Sequence, residues 1–152
     1  MKLAEELYDQ GRPVSARIEL VESSGPVSPA YQFSTRVIVT AENNSITLAY
    51  DDRREFRQGK PLNAISFKRE LSHDEYEKLW SGLLALRVFE RNNDFIGAHN
   101  RKKIGVSFNF FEISLGTRKA RCDYFLSKQK DPDFGPYLEI INLLKGLNSL
   151  RV

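Results

Sequence analysis

Between Ser15 and Glu22 the apolar residues Ala16, Ile18 and Leu20 alternate with Arg17 and Glu19, a period of two that predicts a half-buried strand. Gly25, Pro26 and Pro29 end it. A second strand is predicted from Tyr31 to Ala41, with Tyr31, Phe33, Val37 and Val39 on one face and Gln32, Ser34, Arg36 and Thr40 mostly on the other. Its predicted partner is 45–50, joined across Glu42-Asn43-Asn44 because asparagine tolerates the left-handed conformation a tight hairpin needs. Residues 51–60, DDRREFRQGK, are too polar for a core and read as a charged, mobile loop carrying Arg53, Arg54, Arg57 and Lys60. A fourth strand over 62–69 follows, with Ile65 and Phe67 in phase.

The period then changes. Ser72-His73-Asp74-Glu75 has the spacing of a capping box, in which serine and glutamate each satisfy a free amide at a helix start. Tyr76, Leu79, Trp80, Leu83 and Leu84 recur at three and four residues, so an amphipathic helix is predicted to about Val88. Residues 92–100 read as a loop. Two long strands, 104–115 and 118–126, are joined by Gly116-Thr117, where glycine in the first loop position suits a type II′ turn. After Asp131-Pro132-Asp133-Phe134-Gly135, Pro136 fits the first turn of a last helix with the apolar stripe Ile140, Ile141, Leu144 and Leu147. Residues 2–9 can form a short helical turn stopped by Gly11 and Pro13.

The order β-β-β-β-α-β-β-α, with or without that short N-terminal helix, predicts one α+β domain over 1–152. It consists of an antiparallel sheet of about six strands with two main helices. With the first residues helical, this order of elements resembles that of the small chaperones of type III secretion systems. The resemblance rests on element order, without a motif, and that family is typically acidic.

A chain of 152 residues, 41% hydrophobic and 28% charged, is long enough to bury a core without disulfides or metals. Its one cysteine, Cys122, has no internal partner, and Met1, Lys2, Glu5 and Glu6 stand where a secretory leader would be apolar. A cytoplasmic setting is therefore expected. No apolar run approaches the roughly 18 residues that span a bilayer, so no membrane association is expected. The formal charge of +3 is uneven. Residues 101–130 hold eight Lys or Arg against two acidic residues, +6, leaving −3 for the remainder.

Catalytic constellations are missing. Nucleophilic catalysis needs a base beside Ser or Cys, and only His73 and His99 are available. His73 falls in the first turn of a capped helix, and an enzyme using His99 with Asp94 in NNDFIGAHN ranks last of the three functional readings. Two histidines and one cysteine at unrelated spacings do not make a zinc site. Asp51-Asp52 and Asp131/Asp133 lack the spacing of a calcium loop and suit turns and element ends. No glycine-rich phosphate loop is present, so no cofactor and no metal are expected. Cys122, opposite Phe111 in the predicted hairpin register, reads as an inert buried thiol.

The remaining signal is a surface. Counting back from Gly116-Thr117 pairs Leu115 with Arg118, Ile113 with Ala120, Phe111 with Cys122 and Phe108 with Phe125. Near the turn one face is apolar, while farther along the opposite face carries Ile104, Val106, Phe108, Phe110 and Phe125. Such a switch demands a bulge near Asn109–Phe110, a second covering layer, or an exposed patch awaiting a partner. The sequence thus predicts a non-enzymatic protein-interaction domain, a subunit or accessory factor of a larger assembly. Its expected contact surface is Phe108, Phe110 and Phe125 rimmed by Arg101, Lys102 and Lys103. The alternative is a nucleic-acid-binding module using the basic stretch 101–130 with Arg53, Arg54, Arg57 and Lys60. The oligomeric state is open.

Overall fold

The computed structural model describes residues 3–25, 27–97 and 109–151. In chain order its elements are α1 (Leu3–Leu7), β1 (Tyr8–Asp9), β2 (Arg12–Pro13), β3 (Ala16–Ser23), β4 (Phe33–Glu42), β5 (Ser45–Arg57), β6 (Lys60–Glu70), α2 (His73–Ala85), β7 (Asn93–Asp94), β8 (Asn109–Leu115), β9 (Arg118–Tyr124) and α3 (Gly135–Lys145). Strands β1 and β2 make a small ribbon, and the other seven form one sheet in the order β6-β5-β4-β3-β8-β9-β7. Every pairing in that sheet is antiparallel except β7 on β9. The expected α+β architecture is present, with the short β7 as the added strand.

Local chemistry sets the turns. Asn43 and Asn44 both take positive φ, 50° and 67°, closing the β4–β5 hairpin. Gly116 takes φ 60° between β8 and β9, and the predicted register holds throughout the described strands, from Leu115 opposite Arg118 to Phe111 opposite Cys122. At the start of α2, Glu75 N–H donates to Ser72 Oγ (3.1 Å) and Ser72 N–H donates to Glu75 Oε1 (2.9 Å). This is the reciprocal cap expected from the spacing.

Both main helices lie on one face of the sheet. Ile18 and Leu20 of β3, Val37 of β4, Leu48 of β5 and Phe111 and Ile113 of β8 are fully buried beneath Tyr76, Trp80 and Leu83 of α2 and Ile140, Ile141 and Leu144 of α3. Trp80 has no exposed surface, stacking on Phe89 and meeting Tyr76 edge-on. Gly82 belongs to this contact: a Cβ there would sit 3.0 Å from a Leu143 methyl group, so α2 and α3 approach where a side chain is missing.

Three expectations are corrected. The charged run 51–60 is not a loop. Strand β5 continues through Arg57 and turns at Gln58-Gly59 into β6, so Arg53, Arg54, Arg57 and Lys60 lie on a paired hairpin arm. Tyr31 is not on a strand face; it ends a 3-10 turn from Pro29 and is 77% exposed. The 92–100 loop contains β7, whose pairing is made by backbone groups and left no side-chain pattern to read.

Candidate interaction surface

Because side chains alternate along a strand, the odd-numbered residues of β3 and the even-numbered residues of β4 face away from the helices. This open face carries Arg17 and Glu19 on β3, Arg36 and Ile38 on β4, Asp51 and Arg53 on β5, and Glu112 and Arg121 on β8 and β9. Its charges are paired across and along the strands. Arg36 Nη2 reaches Glu19 (2.9 Å), Arg53 reaches Asp51 (3.2 Å), and Arg121 contacts both Glu112 and Asp123 (3.0 Å each). Between them runs a half-buried apolar strip formed by Phe110, its cross-strand partner Val21, Ile38 and Ala49. Beside it a shallow depression of about 360 Å³ is lined by Arg36, Ile38, Ala49, Asp51, Ser66 and Lys68, reaching the outermost strand.

The sheet's two edges are finished differently. At β9 the loop before β8 covers the backbone: Phe95 N–H donates to the Asp123 carbonyl (2.9 Å), and Arg121 N–H donates to Asn92 Oδ1 (3.1 Å). At the other end, no strand lies beyond β6 among the described residues. Leu71 N–H donates to the Ile46 carbonyl (2.9 Å), which fixes the phase of the β5–β6 ladder. Asn63, Ile65, Phe67 and Arg69 therefore turn their backbone groups toward β5, while those of Ala64, Ser66, Lys68 and Glu70 point outward. The side chains of these four residues are all exposed.

Of the sequence-predicted surface, Phe110 and Phe125 lie among the described residues. Phe110 lies on the open face, with the Arg121 guanidinium 4.0 Å from its ring centroid. Phe125 is half-buried two residues beyond Asp123, the register partner of Phe110. Phe108, Arg101, Lys102 and Lys103 lie outside the described residues, as does His99. The β8–β9 ladder is regular from Leu115 to Asn109, so no bulge occurs there. Instead Asn109 occupies the helix-side position, fully buried, its Oδ1 accepting from Ser23 N–H (2.7 Å).

The far end of the helix side is polar, a feature the sequence reading missed. Glu22 is 1% exposed and receives Lys145 Nζ, the Tyr124 hydroxyl (2.6 Å) and Gln129 Nε2 (2.8 Å). In the adjoining cross-strand position Thr35 donates to Asp52 (2.7 Å), which also accepts from Arg54 Nε (2.9 Å). Burial, then the Glu22 charge, pushes the Tyr124 phenol well above its ordinary value. A buried carboxylate with three donors is a satisfied structural charge. The signal for it was Glu22 itself, in an inward position of an otherwise apolar strand face.

Cys122 is fully buried, and burial followed by the charges of Asp123 and Asp94 pushes its thiol up to about 12, so it is a packing group. Among the described residues no helix is long and apolar enough to cross a membrane, and no three His, Cys, Asp or Glu residues are grouped to hold a metal. No family model matches the chain, nor does any curated protein or solved structure.

Proposed function

We propose that this chain is a non-enzymatic protein-interaction domain that works through the open side of its sheet, the face opposite the helices together with the β6 edge. One observation carries the reading: an edge strand of 11 residues, Lys60–Glu70, whose outward backbone groups meet no strand of the chain among the described residues, while the opposite edge is covered. Free donors and acceptors on a long edge are the template that β-augmentation uses. The apolar strip beside it supplies area for side-chain contacts.

The nucleic-acid alternative draws less support. Within the described part of the basic stretch, Arg118 pairs with Glu6, Lys119 and Arg121 with Glu112, and Lys128 with Asp131 and Asp133. Cations already neutralised by the chain's own carboxylates release few counterions from a polyanion.

Capture from native lysate tests the reading with three baits: the wild-type chain, an open-side variant carrying Ile38→Asp and Ser66→Pro, and a helix-side control, Lys78→Glu. The expected result is a protein set retained by wild type and control, lost by the open-side variant, and stable as salt is raised. Equal capture by all three baits contradicts the reading. Recovery of nucleic acid that disappears steeply with salt favours the alternative.

A further inference from the structure

Resting on that reading, we propose that β6 pairs with β6 of a second copy of this chain, antiparallel about a two-fold axis, so that two seven-stranded sheets join into one. An antiparallel edge is self-complementary by geometry: a two-fold axis perpendicular to the sheet brings the same strand, reversed, against itself. The residues of β6 suit that operation. With the axis at Ser66, the outward residues pair as Ser66 with Ser66, Ala64 with Lys68 and Leu62 with Glu70 of the other copy.

No like charges meet in this register. Lys68, the cation that would guard the edge against chance pairing, stands opposite an alanine and has room to lie over the open face. Ser66 on the axis and Ala64, which faces Lys68 of the other copy, are small enough for close backbone approach.

On the helix side the same axis sets Ile65 opposite Phe67 of the other copy and Asn63 opposite Arg69. Ile65 and Phe67 are half-buried at the margin of the core, Phe67 stacked on Tyr50 at 5.5 Å between centroids. Pairing would extend the cross-strand apolar contacts of β5 and β6 by one more row. The ends of the strand delimit the contact. Pro61 and the Gln58-Gly59 turn stop it at one end, and at the other Arg69 is tied by its guanidinium to Glu75 and the Leu150 carbonyl, where α2 begins. One strand pair makes a small interface, so association is reversible and concentration-dependent.

Ser66→Pro tests the pairing without breaking the fold. The Ser66 N–H points away from β5, so proline removes an outward donor and leaves the β5–β6 ladder intact, a setting in which an edge strand tolerates proline. The assay is sedimentation of the purified full chain over a dilution series. For wild type the expected result is a mass rising with concentration from that of one chain to that of two. Ser66→Pro should stay monomeric throughout, with an unchanged melting temperature. Should that variant melt early, Ser66→Glu, which sets two carboxylates against each other on the axis and keeps the backbone donor, serves in its place and should also be monomeric.

A wild-type chain that remains monomeric at the highest concentration overturns the self-pairing. So does a folded Ser66→Pro or Ser66→Glu protein that dimerises like wild type. Neither outcome touches the broader reading, which stands or falls on open-side-dependent capture of a different protein.

Discussion

The helix side and the open side of this sheet are built from alternate residues of the same strands, yet they are stabilised by different means. On the helix side Ile18, Leu20, Val37 and Leu48 have no exposed surface, and the buried Glu22 is fully partnered. On the open side the corresponding residues are Glu19, Val21, Arg36 and Ile38, which remain partly accessible and hold their charges in surface pairs. Burial makes the first side expensive to alter, whereas solvent screening makes the second cheap to alter. A surface that can change without unfolding the protein is available for binding. The two edges repeat the contrast, one sealed by its own loop and the other ending in outward-facing amides.

Substitutions on the two sides should therefore differ in cost. Trp80→Ala is expected to lower unfolding free energy by about 3–5 kcal/mol, as for other fully buried aromatics; a chemical-denaturation loss under about 1 kcal/mol would mean α2 does not anchor the core. Lys145→Met leaves Glu22 buried with only neutral donors. Because Lys145 is itself 30% exposed, the expected loss is about 2–3 kcal/mol, below the range for a fully enclosed pair. Ser72→Ala removes one half of the capping box and should cost about 1 kcal/mol, seen as a lower denaturation midpoint.

The same cap has a pH signature. The Ser72 backbone N–H, followed by the weaker effects of the Ser72 hydroxyl and Arg69, holds the Glu75 carboxyl below its ordinary value of 4.5. A depressed folded-state value means that the cap's contribution is complete above that ordinary value and fades as pH falls through the lower folded one. Glu75→Gln should flatten this part of the acid limb, and an unchanged acid profile would remove the carboxylate from the account. At the small end, Arg36→Ala on the open face should shift stability by no more than about 0.5 kcal/mol, since Arg36 is more than half exposed and Glu19 keeps Arg17 as a second partner. A loss several times larger would show that the open face is a structural surface after all.

Much of the helix side was legible from residue order. The alternation in β3, the Ser72-to-Glu75 spacing and the stripe from Ile140 to Leu147 each reflect burial, which imposes a period on the sequence. Gly116-Thr117 also determined the β8–β9 register, because a two-residue turn leaves no choice of pairing. The open side left weaker marks. Residues 51–57 form a strand without an apolar period because no described helix covers that arm. Their mark was the charge spacing, Asp51 with Arg53 and Asp52 with Arg54, each pair two apart on one face of a strand. The free edge left no residue pattern, since outward amides belong to the backbone and their direction depends on pairing partners distant in sequence.

Amide exchange along β6, resolved residue by residue in dilute protein, tests the open edge most directly. The account predicts alternation: slow exchange at Asn63, Ile65, Phe67 and Arg69, which bond to β5, and fast exchange at Ala64, Ser66, Lys68 and Glu70, which gain protection as a partner strand binds. Slow exchange at all eight amides in the monomeric, unpartnered chain would contradict it, because the edge would then be covered by the protein itself.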